Sequence, residues 1–361
     1  MKSSVTGSGM PQNQDSEKTA IFALTRKGAE LAARISALMP GSSCFCNYRY
    51  ALPSMSAFHK ISDVFPAVWR EYDAIICIMS CGIAVRMVAP LLEDKFSDPA
   101  VVVMDQVGRF AVSLVSGHIG GANDLARKAA SITGGRAVIT TASDLQDKPA
   151  VDLAAKRAGL RIENRRMLGR IEAAILDEEP LWIFDPGGFL LKHLPADHGL
   201  LEIGAGADPE DLREGLGIWV SEALPPRGVK CLKLRPVTLV IGIGCNRGTA
   251  SNEIVAFVEK RLEELGLAPL SIRNFASLDV KSDETGLLDA AKAFGRPIYF
   301  CSREEIEGIA VPNPSETVAR HVGAESVCEA SALWSAGTKK LLAPKSKAGN
   351  CTLAIARAGS P

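Results

Sequence analysis

His118 stands within Ser116-Gly117-His118-Ile119-Gly120-Gly121-Ala122-Asn123-Asp124, the segment whose residue types best suit chemistry. Its glycines let the backbone turn sharply and bring N–H groups close to a ligand. Asn123 or Asp124 can cap the helix expected over Leu125–Thr133, whose unpaired N–H groups attract anions. A histidine where a strand end meets such a loop faces the usual ligand crevice of an open α/β sheet. There it can act as general acid or base near neutral pH. The plainer reading is a tight turn with a structural histidine and Asp124 as a cap.

Four further segments carry chemistry-bearing residues. Ile139-Thr140-Thr141-Ala142-Ser143-Asp144 follows a second short strand, so its hydroxyls and Asp144 can reach the same crevice or simply form strand and cap. Gly82-Ile83-Ala84-Val85-Arg86 opens a helix, and Arg86 can clamp a carboxylate bidentately or lie solvated. Gly242-Ile243-Gly244-Cys245-Asn246-Arg247-Gly248-Thr249 looks like a dinucleotide fingerprint but has one residue too many before the last Gly. As a strand–turn–helix anion site it is better, because Arg247 and the helix start add positive charge together. Ala276-Ser277-Leu278-Asp279-Val280-Lys281-Ser282-Asp283-Glu284 is a polar loop in which Lys281 suits a carboxylate. Glu284 is a base or an ordinary first-turn acid. Lys340 and Lys345, near the last strands, read as solvated.

The elements that must hold these residues follow from periodicity. Ala20–Leu24, Ala74–Met79, Val101–Asp105 and Ala111–Val115 are apolar runs typical of strands covered on both faces. Lys27–Met39 and Ile83–Leu92 have helical spacing between them, which predicts an α/β layer with a largely parallel sheet. From about Asp147 the texture changes. Ala150–Ala158 and Met167–Leu176 read as helices and Leu181–Phe184 as a strand, followed by a Gly-, Pro- and acid-rich stretch. Pro225-Pro226-Arg227-Gly228 and Pro236 bracket an expected linker. Thr238–Ile243, Thr249–Leu265, Thr285–Phe294, Ile298–Phe300, Ser326–Ser335, Lys339–Ala343 and Thr352–Ala356 then alternate strand and helix again. The expected fold is multidomain α/β, with two three-layer units of largely parallel sheet flanking a small α/β middle domain. Its boundaries are a disordered tail over 1–18, then domains over 19–146, 147–230 and 236–361.

Composition narrows the functional classes. The 361 residues carry no formal net charge, with 47% hydrophobic and 23% charged residues. A nucleic-acid partner is therefore not expected, since polyanion binders carry a basic excess. No apolar run reaches the length needed to span a bilayer. The first residues lack the apolar segment of a secretory leader, so a cytoplasmic setting is expected. The nine cysteines are scattered and odd in number, which fits reduced thiols. Cys44/Cys46 and Cys77/Cys81 lack metal-site spacing and read as buried small hydrophobes, so no metal site is expected.

Together these segments resemble the cobalt-precorrin-5A hydrolase family of cobalamin biosynthesis. The resemblance rests on the Ser116–Asn123, Gly82–Arg86 and Ile139–Asp144 motifs and on Asp98-Pro99-Ala100-Val101-Val102. Towards the end of the chain it rests on Gly242–Cys245, Ala276–Lys281 and Glu329-Ala330-Ser331-Ala332-Leu333. Their order and spacing cover nearly the whole chain from Thr19 to Arg357. The family pattern has Thr where this chain has Ser143; the hydroxyl is kept.

The resemblance implies hydrolysis of a ring A δ-lactone in a cobalt-bearing tetrapyrrole, with release of acetaldehyde. It implies no added cofactor, because the cobalt arrives in the substrate. The partner expected is that small molecule, with a homodimer or transient contact with pathway methyltransferases beside it. Lactone opening needs an activated water and donors for an oxyanion. His118 is the expected base, oriented by Asp144 or Asp105, with Gly120 and Gly121 N–H groups as donors. Gly117, Asn123, Thr140 and Thr141 would share that loop site. Arg86, Lys95, Arg109, Arg247 and Lys281 are the candidate clamps for the macrocycle's carboxylates, with Gly242, Gly244 and Glu284 in the last domain. Two rivals are a non-catalytic corrinoid carrier and a nucleotide-dependent oxidoreductase built on Gly242–Gly248.

Overall fold

A computed structural model describes residues 18–94, 96–118, 120–141, 148–204, 206, 212, 215–313 and 326–359. The expected tail over 1–18 lies outside them except for Lys18, whose backbone N–H donates to Asp73. The chain divides into two compact units, residues 1–147 and 148–361.

The first unit is built on a seven-stranded sheet in the order β3-β2-β1-β4-β5-β6-β7. Its strands are β1 (Thr19–Ala23), β2 (Ser43–Asn47), β3 (Ser56–Phe58), β4 (Ala74–Ile78), β5 (Ala100–Met104), β6 (Phe110–Val115) and β7 (Arg136–Val138). β1, β4 and β5 are buried at every residue, as their unbroken apolar runs require of strands covered on both faces. Helices Arg26–Ala37 and Ala122–Thr133 cover one face through Leu31, Ile35, Ala126 and Ala129. Helices Ile61–Glu71 and Cys81–Val88 cover the other through Phe65, Trp69, Ala84 and Val88. That makes three layers. All pairings are parallel except β5–β6, a hairpin that reverses the chain. The reversal decides the site: the C-terminal ends of β6 and β7 lie at the opposite edge from those of β1, β4 and β5.

The second unit holds two five-stranded sheets. The first is ordered β10-β9-β11-β12-β8, from β8 (Arg161–Ile162), β9 (Leu181–Phe184), β10 (Leu201–Glu202), β11 (Leu216–Val220) and β12 (Cys231–Arg235). Helices Val151–Arg157 and Arg165–Leu176 accompany it. Pro225–Gly228, which open the expected linker, lie in the connection between β11 and β12, and most of the stretch from there to Pro236 is strand. Cys231–Arg235, beyond the boundary expected at 230, pairs along β11 inside this sheet. A strand of alternating Cys, Leu, Lys, Leu and Arg is easily read as loop when its neighbours are prolines.

The last sheet is ordered β15-β14-β13-β17-β16. Its strands are β13 (Leu239–Cys245), β14 (Ile272–Leu278), β15 (Ile298–Cys301), β16 (Leu341–Ala348) and β17 (Cys351–Arg357). Leu239, Ile241 and Ile243 of β13 face helices Ser251–Glu264 and Thr285–Ala293, while Val240 faces helix Val327–Ala336. A Cβ at Gly242 would collide with the carbonyl oxygen of Cys328, so that glycine lets the helix sit on the strand backbone.

The two sheets of this unit are joined by a polar seam. Buried Glu222 accepts from the Thr238 hydroxyl at 2.6 Å and from Arg357 Nε at 3.0 Å. The Leu224 N–H donates to Gly266 O at 2.7 Å. Fully buried Arg235 donates to Glu163 at 2.6 Å and to the carbonyls of Ser221 and Ala223 at 2.8 Å each.

Candidate functional site

The loop after β6 is shaped by three backbone demands. Ser116 takes a left-handed φ of +57°, uncommon for a residue with a side chain. Its hydroxyl donates to Asp98 O at 3.0 Å and its carbonyl accepts from the Ala122 N–H at 3.1 Å, which hold that conformation. A Cβ at Gly120 would strike Ser116, and one at Gly117 would crowd the Asn123 amide at 2.9 Å. The helix begins at Ala122, three residues before the expected Leu125, with Gly121 at φ +86° as its cap. Asn123 is therefore a buried first-turn residue, and its Nδ2 donates to Thr141 Oγ1 at 3.1 Å. The structure thus brings Gly117, His118, Gly120, Gly121, Asn123 and Thr141 together at the C-terminal ends of β6 and β7. Thr140, beside Thr141, is exposed, and His118 is half-buried.

Other expected members do not join them. Asp105 sits in the β5–β6 hairpin, accepting the Val107 and Phe110 N–H groups at 2.9 and 2.8 Å. It lies at the far end of β6 from His118, so it cannot orient that imidazole; the β5–β6 reversal is the reason. Arg109 is exposed in the same hairpin. Arg86 folds back to donate to Gly82 O at 2.9 Å, at the helix start that follows β4 and again at that far edge. The Gly121 N–H is used by His118 O at 3.0 Å, which removes it as an oxyanion donor. Lys95 and Asp144 lie outside the described residues, as do Ile119, Ala142 and Ser143.

The last sheet carries a cavity of about 380 Å³ at the C-terminal ends of β13 and β14. Gly244, Ser277 and Lys281 line it, together with Ser326 and Val327 at the start of the Val327–Ala336 helix and Lys345 of β16. Strand ends and a helix start converge here as they do at nucleotide and anion sites of open α/β sheets. Ser277 Oγ donates to Ile243 O at 2.8 Å, tying the ends of β13 and β14 under the cavity. Lys281, expected as a carboxylate clamp, is there, 3.3 Å from Glu284. Lys345, read from sequence as solvated, lines the same wall. Nothing in the pattern Leu341-Leu342-Ala343-Pro344-Lys345 announces this, because the strand is irregular.

Arg247 and Glu284 behave differently from expectation. Arg247 Nη1 lies 3.0 Å from Asp283 and 3.4 Å from Glu284, so its charge is met by the carboxylates of the loop after β14. Glu284 accepts the Gly248 N–H at 3.1 Å, and with Lys281 and Arg247 nearby its carboxyl is held below the usual range. A carboxylate so stabilised is a weak base, and Glu284 serves as the clasp between two loops. Gly242 packs against the helix and does not line the cavity. Among the described residues no group of His, Cys, Asp and Glu is arranged to hold a metal ion.

The cysteines are all unpaired thiols, and only Cys81 is exposed. Burial pushes Cys77 and Cys301 up to about 12, and Cys231 and Cys351 to about 11. Only a thiolate reacts appreciably with maleimide or disulfide reagents. Brief labelling of the native protein at neutral pH should therefore modify Cys81 first and leave those four untouched until the chain unfolds. Peptide mass mapping reads the result directly.

These features define a multidomain α/β protein with a glycine-shaped loop carrying a histidine in its first unit and a basic cavity at strand ends in its second. Family models match in sequence along the chain: cobalamin synthesis G N-terminal over residues 63–144, cobalamin biosynthesis central region over 149–236, and cobalamin synthesis G C-terminus over 239–356. A cobalt-precorrin-5A hydrolase of Priestia megaterium is 33% identical, covering 93% of this chain and 94% of its own. One from Salmonella typhimurium is 32% identical over 80% of this chain and 83% of its own. Protein CobE of a Sinorhizobium species is 39% identical but matches 29% of this chain, against 69% of its own. The chain belongs to the cobalt-precorrin-5A hydrolase (CbiG) family. Among the described residues no helix is long and apolar enough to cross a membrane.

Proposed function

We propose that this protein is a hydrolase that opens the ring A δ-lactone of cobalt-precorrin-5A and releases acetaldehyde, giving cobalt-precorrin-5B in anaerobic cobalamin biosynthesis. The observation that carries the reading is the end-to-end match, over 93% of this chain, to a relative of that activity. The match to protein CobE, by contrast, covers 29% of this chain.

The chemistry requires two proton transfers. Water adds to the lactone carbonyl as a base removes its proton, and collapse of the tetrahedral oxyanion frees a carboxylate and a hydroxyl. Deprotonation of that hydroxyl then drives carbon–carbon cleavage: its oxygen becomes the aldehyde carbonyl, and the bond's electron pair passes into the conjugated macrocycle. His118 is the base in this reading. Gly120 and Asn123 stand in the same loop, Asn123 is tied to Thr141, and Gly117 keeps the loop close to Asn123. The protein adds no cofactor of its own; cobalt belongs to the substrate. The setting is cytoplasmic.

Mixing the purified protein with cobalt-precorrin-5A without oxygen tests this. Acetaldehyde, trapped as a hydrazone, should appear together with loss of the lactone. Stoichiometric binding with no aldehyde would overturn the hydrolase and leave a carrier.

A further inference from the structure

We infer that the cavity of the last sheet is a carboxylate subsite, in which Lys345 and Lys347 hold one acidic side arm of a polycarboxylate macrocycle and Glu329 sets Lys345 in place. The inference rests on the substrate reading above, and it adds which residues grip the ring's periphery and how the strand is built to present them.

Charge is the first argument. The chain as a whole is neutral, yet the residues lining this cavity include Lys281, Lys345 and Lys347 and no Asp or Glu. Lys281 is partly neutralised by Glu284 at 3.3 Å. The ammonium groups of Lys345 and Lys347 make no ion pair with a carboxylate among the described residues. Both line the cavity from the same strand, β16. Like charges held side by side repel, and an anion between them relieves that cost.

The rest of the wall selects the kind of anion. Helix Val327–Ala336 starts at the cavity, and its cap residue Ser326 accepts no first-turn N–H on its side chain, its hydroxyl meeting the Cys328 thiol at 3.7 Å instead. The first-turn N–H groups and the helix dipole favour negative charge there. Leu278, Val280 and Val327 supply an apolar side to the same space. A carboxylate on a short methylene stem satisfies both surfaces, whereas a bare inorganic anion leaves the apolar one wet.

Strand β16 is distorted to make this possible. Its register against β17 shifts twice, between Leu341 and Ala343 and again between Ala343 and Ser346, around Pro344. Such bulges re-aim side chains near functional sites. At the distortion the Lys345 N–H leaves the ladder and donates to Glu329 Oε1 at 2.8 Å. Glu329 is fully buried, and its two oxygens also accept the Asn313 side-chain amide at 2.8 Å and the Asn313 backbone N–H at 3.1 Å. It is a positioning residue: it touches no ligand, but it fixes the bulge that points Lys345 inward.

The test is binding of cobyrinic acid, a corrinoid whose peripheral arms are free carboxylates, to the full-length protein, with its fully methyl-esterified form as the neutral control. Lys345→Gln and Lys347→Gln should each weaken binding of the acid roughly tenfold and flatten its salt dependence. Neither should affect the ester. Glu329→Gln should weaken the acid while keeping the wild-type salt dependence, because both cations remain. Both lysines are surface-accessible, so melting of the lysine variants should match the wild type. No binding of the acid by the wild type, or unchanged affinity in both lysine variants, overturns the inference. Acetaldehyde release is scored separately. Aldehyde from the wild type with unchanged affinity in the lysine variants sinks the subsite alone. Lysine-dependent binding without aldehyde sinks the hydrolase reading alone.

Discussion

Replacing Glu163 with alanine should destabilise the 148–361 unit by about 3 kcal/mol, measured by hydrogen exchange of β9, β11 and β12. The reason lies in Arg235, whose side chain is 0% exposed and whose Nε meets Glu163 at 2.6 Å. Without Glu163 that guanidinium keeps the carbonyls of Ser221 and Ala223 but loses its counter-charge inside the protein. The figure sits at the low end of the range for breaking a buried pair because Glu163 itself is 27% exposed and water can partly compensate. Arg235→Met should cost less, since it removes the charge along with its need for a partner. The pH dependence has a definite sign. Burial raises the Glu163 carboxyl, but Arg235 and Lys233 outweigh it and hold it below its ordinary value. Its contribution is therefore present above the unfolded value of about 4.3 and fades as pH falls through the lower folded value. In Glu163→Gln that acid-side loss should be missing.

This seam also explains where reading the residues in order succeeded and where it failed. Ala20–Leu24 and Ala74–Met79 announced buried parallel strands, and each lies within one residue of β1 and β4. Leu181–Phe184 coincides with β9. Long apolar runs and amphipathic helices carry their own signal, because burial on known faces dictates them. Ser43–Asn47 and Cys231–Arg235 carry none: one alternates small and half-buried residues, and the other hides between prolines. Neither residue type nor spacing shows that Arg235 is buried, since an isolated Arg reads as solvated.

The site divides in the same way. Local backbone chemistry was legible: Gly117, Gly120 and Gly121 mark a sharp turn, and the turn is there, strained at Ser116. Membership across the sheet was not. Asp105 and His118 flank one strand, thirteen positions apart, and only the direction of β6 tells that they stand at opposite edges. Lys345 reads as solvated because its approach to the cavity depends on a bulge held by Glu329 from a different element. A motif reports what its own backbone does. A site assembled from several elements becomes visible only with the topology.

That topology sharpens the test of the base. His118→Ala should lower kcat by roughly 10²–10⁴ while leaving KM for cobalt-precorrin-5A near its wild-type value, the range seen when a positioned proton acceptor is removed. Asp105→Asn should leave turnover at the wild-type level, because its oxygens serve the Val107 and Phe110 N–H groups of a hairpin remote from the loop. The contrast separates a chemical from a structural histidine. If His118 only shaped the turn, its loss would loosen the Asn123–Thr141 contact, raise KM and lower the melting temperature together. A base that acts on water instead leaves a cavity beside an intact loop, and added imidazole should restore part of the acetaldehyde release. Full turnover by His118→Ala would exclude it as the base and move the search to the polar groups that share its loop.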